Sequence, residues 1–262
     1  MIRYAKLDDS GFTIVELISV MAASALFAGL ILAFAINYWR YAALMEADLD
    51  TLVTRLNAGD YLRESIGTSS GMIIQNGLPD TNTLKADTTI VSGLYWEKIH
   101  AQPKNIPIGA PGIISPVVYY RRLSANSSKT IIMNGTQPYE DEYILYLNGT
   151  TKQLMSRAIA NPSATGNALK TSCPPSLATT LCPADKVIAK DVASIDTRYF
   201  SRTGNLIDWT SLYDTGLGTY AGPDFPIVEV FELKLNLTKK PIFQTTNATV
   251  NSTIIRIALR NT

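Results

Sequence analysis

The sequence predicts an α+β protein: one long N-terminal helix, first transmembrane and then amphipathic, followed by a head of antiparallel β-sheet. Three observations carry this. Residues 17–36 are twenty consecutive positions without a charge. Apolar residues then recur at helical spacing as far as Ile66, and no proline occurs before Pro79. Beyond that, short runs rich in Tyr, Ile and Val alternate with Asn, Gly, Pro and Ser, the composition of strands and turns.

Length and composition set the outer bounds. With 262 residues, 46% of them hydrophobic, the chain can bury a substantial core. A formal net charge of +1 argues against a protein that coats nucleic acid, because neutralising phosphates takes a basic excess or stripe. A charged fraction of 17% is well below the usual quarter and implies a surface of Ser, Thr, Asn and Gln. The one histidine, His100, excludes mechanisms that need two, and two cysteines cannot build a four-sulfur zinc site.

The helix is read in order from its start. At ~1.5 Å per residue the uncharged run spans ~30 Å, the thickness of a bilayer's hydrocarbon core. Arg3 and Lys6 precede it, which places residue 1 in the cytoplasm and the bulk of the chain outside. A cleaved secretory signal fits less well, since its apolar core is shorter and ends in a small-residue cleavage site. Glu16 sits just inside the apolar stretch, where a carboxylate is costly and usually partnered. Packing beside identical helices supplies a partner: after a cut behind Gly11, Phe12 carries a free ammonium that a neighbouring chain's Glu16 can meet.

Gly11-Phe12-Thr13-Ile14-Val15-Glu16-Leu17-Ile18 closely resembles the cleavage and methylation motif of type IV prepilins and type II secretion pseudopilins. The resemblance covers about the first fifty residues. It implies a pilin-like fold, cleavage by the membrane-embedded aspartyl prepilin peptidase after Gly11, and methylation of the new amine on Phe12. It makes Phe12 and Glu16 the assembly residues, with Glu16 registering the next subunit in a helical filament. The partners it implies are the prepilin peptidase, other pilin or pseudopilin subunits and an inner-membrane assembly platform. The location it implies is the inner membrane, with the head outside the cytoplasm, and then the filament. The leader departs from the family pattern by carrying Asp8-Asp9-Ser10 before Gly11, where a basic residue is common.

Beyond the membrane run, Tyr38-Trp39-Arg40-Tyr41 reads as an interfacial belt. Met45, Leu49, Leu52, Leu56, Leu62 and Ile66 then mark an amphipathic helix packed on the head, with Glu46, Asp48, Asp50, Arg55 and Arg63 toward solvent. The expected organisation is a leader at 1–11, a membrane or filament-core helix at 12–39, the amphipathic helix at 40–66 and an extracytoplasmic head at 67–262. Ala22, Ala23, Ser24, Ala25, Ala28 and Gly29 form a small-residue patch of the kind that lets membrane helices approach closely.

In the head, candidate strands are 71–75, 93–99, 116–123, 130–133, 142–147, 153–159, 187–190, 194–201, 228–237 and 249–259, with a hairpin turn at Asn148-Gly149-Thr150-Thr151. The run from Lys190 to Phe200 followed by Gly204-Asn205, and then Pro226-Ile227-Val228, is similar to the late hairpin of the larger minor pilins and J-type minor pseudopilins. The length suits a minor subunit rather than the bulk one.

Cys173 and Cys182 flank an eight-residue loop, and in a head outside the cytoplasm a disulfide closing it is expected. No nucleophile–base pair or metal cluster is visible, so neither an enzyme nor a cofactor is expected. Asp185, Asp191, Asp196, Asp208 and Asp214 lack calcium-loop spacing, and Arg121-Arg122 and Lys239-Lys240 are isolated pairs. Asn-x-Ser/Thr triplets begin at Asn126, Asn134, Asn148, Asn236, Asn247 and Asn251. The expected function is therefore structural, a minor pilin or pseudopilin. The alternative is a single-pass anchored β-domain that binds a ligand or surface.

Overall fold

A computed structural model describes residues 13–70, 114–201, 203–207, 229–239 and 249–259. Helix α1 spans Ile14–Gly67. Among the described residues ten strands follow: β1 (Ile114–Leu123), β2 (Met133–Asn134), β3 (Gln137–Pro138), β4 (Glu140–Asn148), β5 (Gln153–Ile159), β6 (Lys186–Ala189), β7 (Val192–Phe200), β8 (Leu206–Ile207), β9 (Val230–Lys239) and β10 (Thr249–Ala258). This is the expected class, one long helix and then antiparallel sheet. The candidate strands at 71–75 and 93–99, the leader 1–11 and His100 lie outside the described residues.

The described chain forms two compact units that part between Asp48 and Leu49 of α1. In the first, the helix has no burial: every large apolar residue from Ile14 to Phe34 is at least half exposed. It is long and apolar enough to cross a membrane.

In the second unit, two four-stranded sheets, ordered β1-β4-β5-β6 and β10-β9-β7-β8, share one core with the last turns of α1. All strand pairs within them are antiparallel. Period-2 alternation selects the inward set: Leu145 and Leu147 on β4, Leu154 on β5, Phe231, Leu233, Leu235 and Leu237 on β9, Ile255 and Ile257 on β10. Ala58, Leu62 and Ile66 of α1 enter the same core. Two hydroxyl pairs tie the helix to the first sheet: Tyr61 donates to Ser156 Oγ at 3.1 Å and Tyr120 to Ser65 Oγ at 3.1 Å.

The amphipathic stripe needs correcting. Leu62 and Ile66 are fully buried, whereas Met45, Leu49, Leu52 and Leu56 remain about half exposed. The face the head uses is instead Thr51, Ala58, Gly59, Leu62, Ser65 and Ile66. At ~100° per residue, the Leu49–Leu52–Leu56 row and the Ala58–Leu62–Ile66 row lie roughly a third of a turn apart, so one flat contact cannot cover both.

Strand ends differ from the sequence reading by one to two residues in β1, β4, β6, β7, β9 and β10. The region 130–133 is not a full strand: Ile131 makes only a bridge to Ala125, and β2 starts at Met133. Its partner β3 follows the turn at Gly135, whose φ of +63° suits glycine. At the β4–β5 hairpin, Asn148 Oδ1 accepts from the amides of Thr150 and Thr151, and the left-handed position falls on Lys152 (φ +54°). The turn is therefore wider than the two-residue Asn-Gly form.

Candidate functional site

Two places carry the residues singled out by sequence. The first is the start of α1. Gly11 and Phe12 lie outside the described residues. Glu16 is described, and its carboxylate is engaged within its own chain: Oε2 accepts from the Thr13 amide at 3.0 Å and from Thr13 Oγ1 at 2.9 Å. Thr13 Oγ1 in turn accepts from the Glu16 amide at 3.3 Å, and the Thr13 carbonyl accepts from Leu17 at 3.1 Å. This is a capping box, in which Thr and Glu three positions apart satisfy the orphan donors of the first turn. Thr13-Ile14-Val15-Glu16 fits its S/T-x-x-E signature, a signal the reading of Glu16 as a charge awaiting a neighbour passed over. Glu16 thus has a local role as well as any role between chains.

The second place is the outer side of the β1-β4-β5-β6 sheet. Tyr119, Ile144, Tyr146, Met155 and Ile159 face away from the shared core and still form a buried cluster of their own. Cys173 and Cys182 are joined as a disulfide, as expected. The loop it closes is fastened to the body by backbone bonds: Cys173 donates to the Pro183 carbonyl at 2.8 Å and accepts from Asp185 at 2.7 Å. Closing so short a loop removes unfolded-state freedom worth about 2–3 kcal/mol.

Beside this disulfide lies a buried ion pair that sequence reasoning missed. Arg157 Nη2 donates to Asp185 Oδ2 at 2.9 Å, with both side chains almost wholly enclosed. Tyr146 donates to Asp185 Oδ2 at 2.6 Å and Ser172 Oγ to Oδ1 at 2.6 Å, so both carboxylate oxygens are satisfied. Burial first, and then the adjacent carboxylate, push the Tyr146 hydroxyl well above its ordinary range. Such a pair contributes little net stability when made but is costly to leave half-made, so it fixes one arrangement of the strands and loop it joins. In the sequence Asp185 stands only among scattered acids that lack calcium-loop spacing, and its position three residues after Cys182 is the available hint. Among the described residues, no three His, Cys, Asp or Glu side chains stand close enough to hold a metal.

The outer side of the other sheet is polar. Glu232 is enclosed between Arg256, at 2.7 Å from Nε, and Arg198, at 3.8 Å from Nη1. The late hairpin is present: Ser201 donates to the Asn205 carbonyl and Gly204 (φ +77°) turns β7 into β8. Pro226-Ile227-Val228 and Asp208 and Asp214 lie outside the described residues.

Comparison with protein-family models, curated proteins and solved structures gives no match. What stands is the architecture. A single long apolar N-terminal helix leads into an antiparallel β head, an arrangement compatible with pilin-like proteins and fit for single-pass membrane anchoring.

Proposed function

We propose that the chain is a minor structural subunit of a type IV pilus or a type II secretion pseudopilus. In this reading prepilin peptidase cuts it after Gly11, Phe12 is methylated, and the N-terminal helix carries it from the membrane into a filament. The observation that supports this most is the motif from Gly11 to Ile18 placed directly at the head of a helix whose apolar residues have no cover within their own unit. A surface of that kind is stable only in lipid or against other helices. The mechanism is assembly rather than turnover: burial against neighbouring helices replaces burial in lipid.

The exposed Leu49, Leu52 and Leu56 extend the surface offered to neighbours beyond the membrane-length run. Glu16 is shared between two states, capping its own helix with Thr13 before assembly and meeting a neighbour's ammonium after it. Because the capping box also suits an ordinary anchor, Glu16 by itself does not separate the two readings.

The separating experiment is the intact mass of the protein from native membranes, with sequencing of its N-terminal peptide. A chain that starts at Phe12 and is heavier by one methyl is the expected result. A chain that starts at Met1, in cells with active prepilin peptidase, overturns the filament reading and leaves an anchored ligand-binding head. A second check is Glu16→Val, which leaves cleavage intact but removes the subunit from sheared filaments.

A further inference from the structure

An open cleft of about 400 Å³ lies in the head, where the last turns of α1 meet the segment that precedes β6. It is lined by Tyr61 of α1, Tyr143 of β4, Ser156 of β5, and by Lys170, Ser172 and Lys186, together with small apolar residues. Its volume falls in the range of small-molecule sites, ~300–1,000 Å³.

The charge in it is one-sided. Among the described residues that line it, the charged ones are two lysines and none is a carboxylate. Lys186 Nζ sits 4.2 Å from the centroid of the Tyr61 ring. Lys170 Nζ makes a long contact, 3.5 Å, to the Thr180 carbonyl. Neither lysine has a carboxylate partner among the described residues, and Arg122, 5.8 Å over the Tyr143 ring, adds a third cation nearby. Two nearby acids are committed elsewhere. Asp141 accepts from the Asn161 amide and Asn167 Nδ2, and Asp185 is held by Arg157. Positive charge lining a concave surface without a counterion draws anions.

The walls are also fixed before any ligand arrives. Tyr61 is held by its bond to Ser156 Oγ at 3.1 Å. Tyr143 is stacked on Tyr120 with centroids 5.3 Å apart. Ser172 is pinned by the buried Asp185 carboxylate, and the Cys173–Cys182 bridge anchors the residue that follows it. A ligand that meets fixed groups loses less to ordering them.

We propose that this cleft binds a small organic anion, a carboxylate- or phosphate-bearing molecule of about the size of a sugar acid or sugar phosphate, with Lys170 and Lys186 as the anion-binding residues. This does not depend on how the subunit assembles. The test uses the full chain in detergent with its lysines reductively ¹³C-dimethylated, which keeps their charge, and with Lys170→Arg and Lys186→Arg to assign the two resonances. Glucuronate, glucose 6-phosphate and neutral glucose are titrated at constant ionic strength. Saturable shifts of both resonances with either anion, and none with glucose, are expected; which anion saturates identifies the chemistry as carboxylate or phosphate. The Lys170→Ala/Lys186→Ala double variant, with an unchanged thermal midpoint, binds the same anion about tenfold or more weakly when followed by calorimetry. Linear shifts shared by all lysines, no shift with either anion, or undiminished binding by the double variant overturns the proposal.

Discussion

Leu62 and Leu52 stand ten positions apart on the same helix and in the same compact unit, yet one is fully buried and the other is about half exposed. Residue type and helical propensity do not distinguish them; azimuth does. The head grips the face of Ala58, Leu62 and Ile66, and the Leu49–Leu52–Leu56 row points roughly a third of a turn away. The difference teaches that α1 has two apolar faces of different standing. One is satisfied inside the chain and contributes to folding. The other stays about half exposed and is outside the shared core.

The satisfied side can be broken most completely by alkali. Tyr119, Tyr120, Tyr143, Tyr146 and Tyr199 all have hydroxyls raised above their ordinary value, burial being the first cause in each; Tyr143 and Tyr199 are pushed up to about 12. A raised folded pKa means the folded state holds its proton where the unfolded chain has lost it. The stability these tyrosines contribute is therefore fully present below about pH 10 and is lost as pH rises through the folded values. The urea midpoint of the head, followed by near-ultraviolet circular dichroism in detergent, is expected to be flat from neutral pH to about pH 9.5 and to fall steeply above about pH 10. An unchanged midpoint at about pH 11 would show that these side chains are not buried neutral.

The next largest effect comes from the buried pair. Arg157→Met leaves the Asp185 carboxylate enclosed, with the Tyr146 and Ser172 hydroxyls, among the described residues, to answer its charge. The expected loss is about 3–5 kcal/mol in chemical unfolding. Removing both charges, as Arg157→Met with Asp185→Asn, is expected to recover part of it. A double variant as unstable as the single one would mean the ion pair contributes more than the cost of an orphaned charge.

Leu62→Ala tests the gripped face itself. A fully buried leucine between α1 and the sheets leaves a cavity that its neighbours close only in part, for a loss of about 2–5 kcal/mol. A loss below about 1 kcal/mol would mean the helix end and the sheets do not share one core.

How much of this was legible in the sequence follows the physics of each part. The long helix was, because an uncharged run of membrane length and an unbroken absence of proline are local signals. Most described strands were, because alternation and turn residues are local too. The disulfide followed from having two cysteines in a head expected to face oxidising conditions. The gripped face of α1 was not: its buried members include Thr51, Ala58, Gly59 and Ser65, which carry little hydropathy and are chosen by the close approach of sheet to helix. The Arg157–Asp185 pair was not, since residues 28 apart meet only through the fold. Two of the Asn-x-Ser/Thr triplets proved to be local backbone devices. Asn126 Oδ1 holds the amides of Ser128 and Thr130, and Asn148 Oδ1 those of Thr150 and Thr151, the role of an Asx turn.

The smallest expected effect is the most informative about the other face. Leu52→Ala removes a large side chain that the head does not cover, so folding stability should change by no more than about 0.5 kcal/mol. The same substitution, alone or with Leu49→Ala, is expected to lower recovery of the subunit in sheared filaments while its amount in membranes and its cleavage after Gly11 stay as in the parent chain. The pairing with Leu62→Ala gives the result its meaning. A variant that folds poorly is lost from membrane and filament together, whereas one that lacks only a contact between subunits is lost from the filament alone. Should Leu52→Ala destabilise the head as Leu62→Ala does, the exposed row would belong to folding after all, and α1 would have one apolar face rather than two.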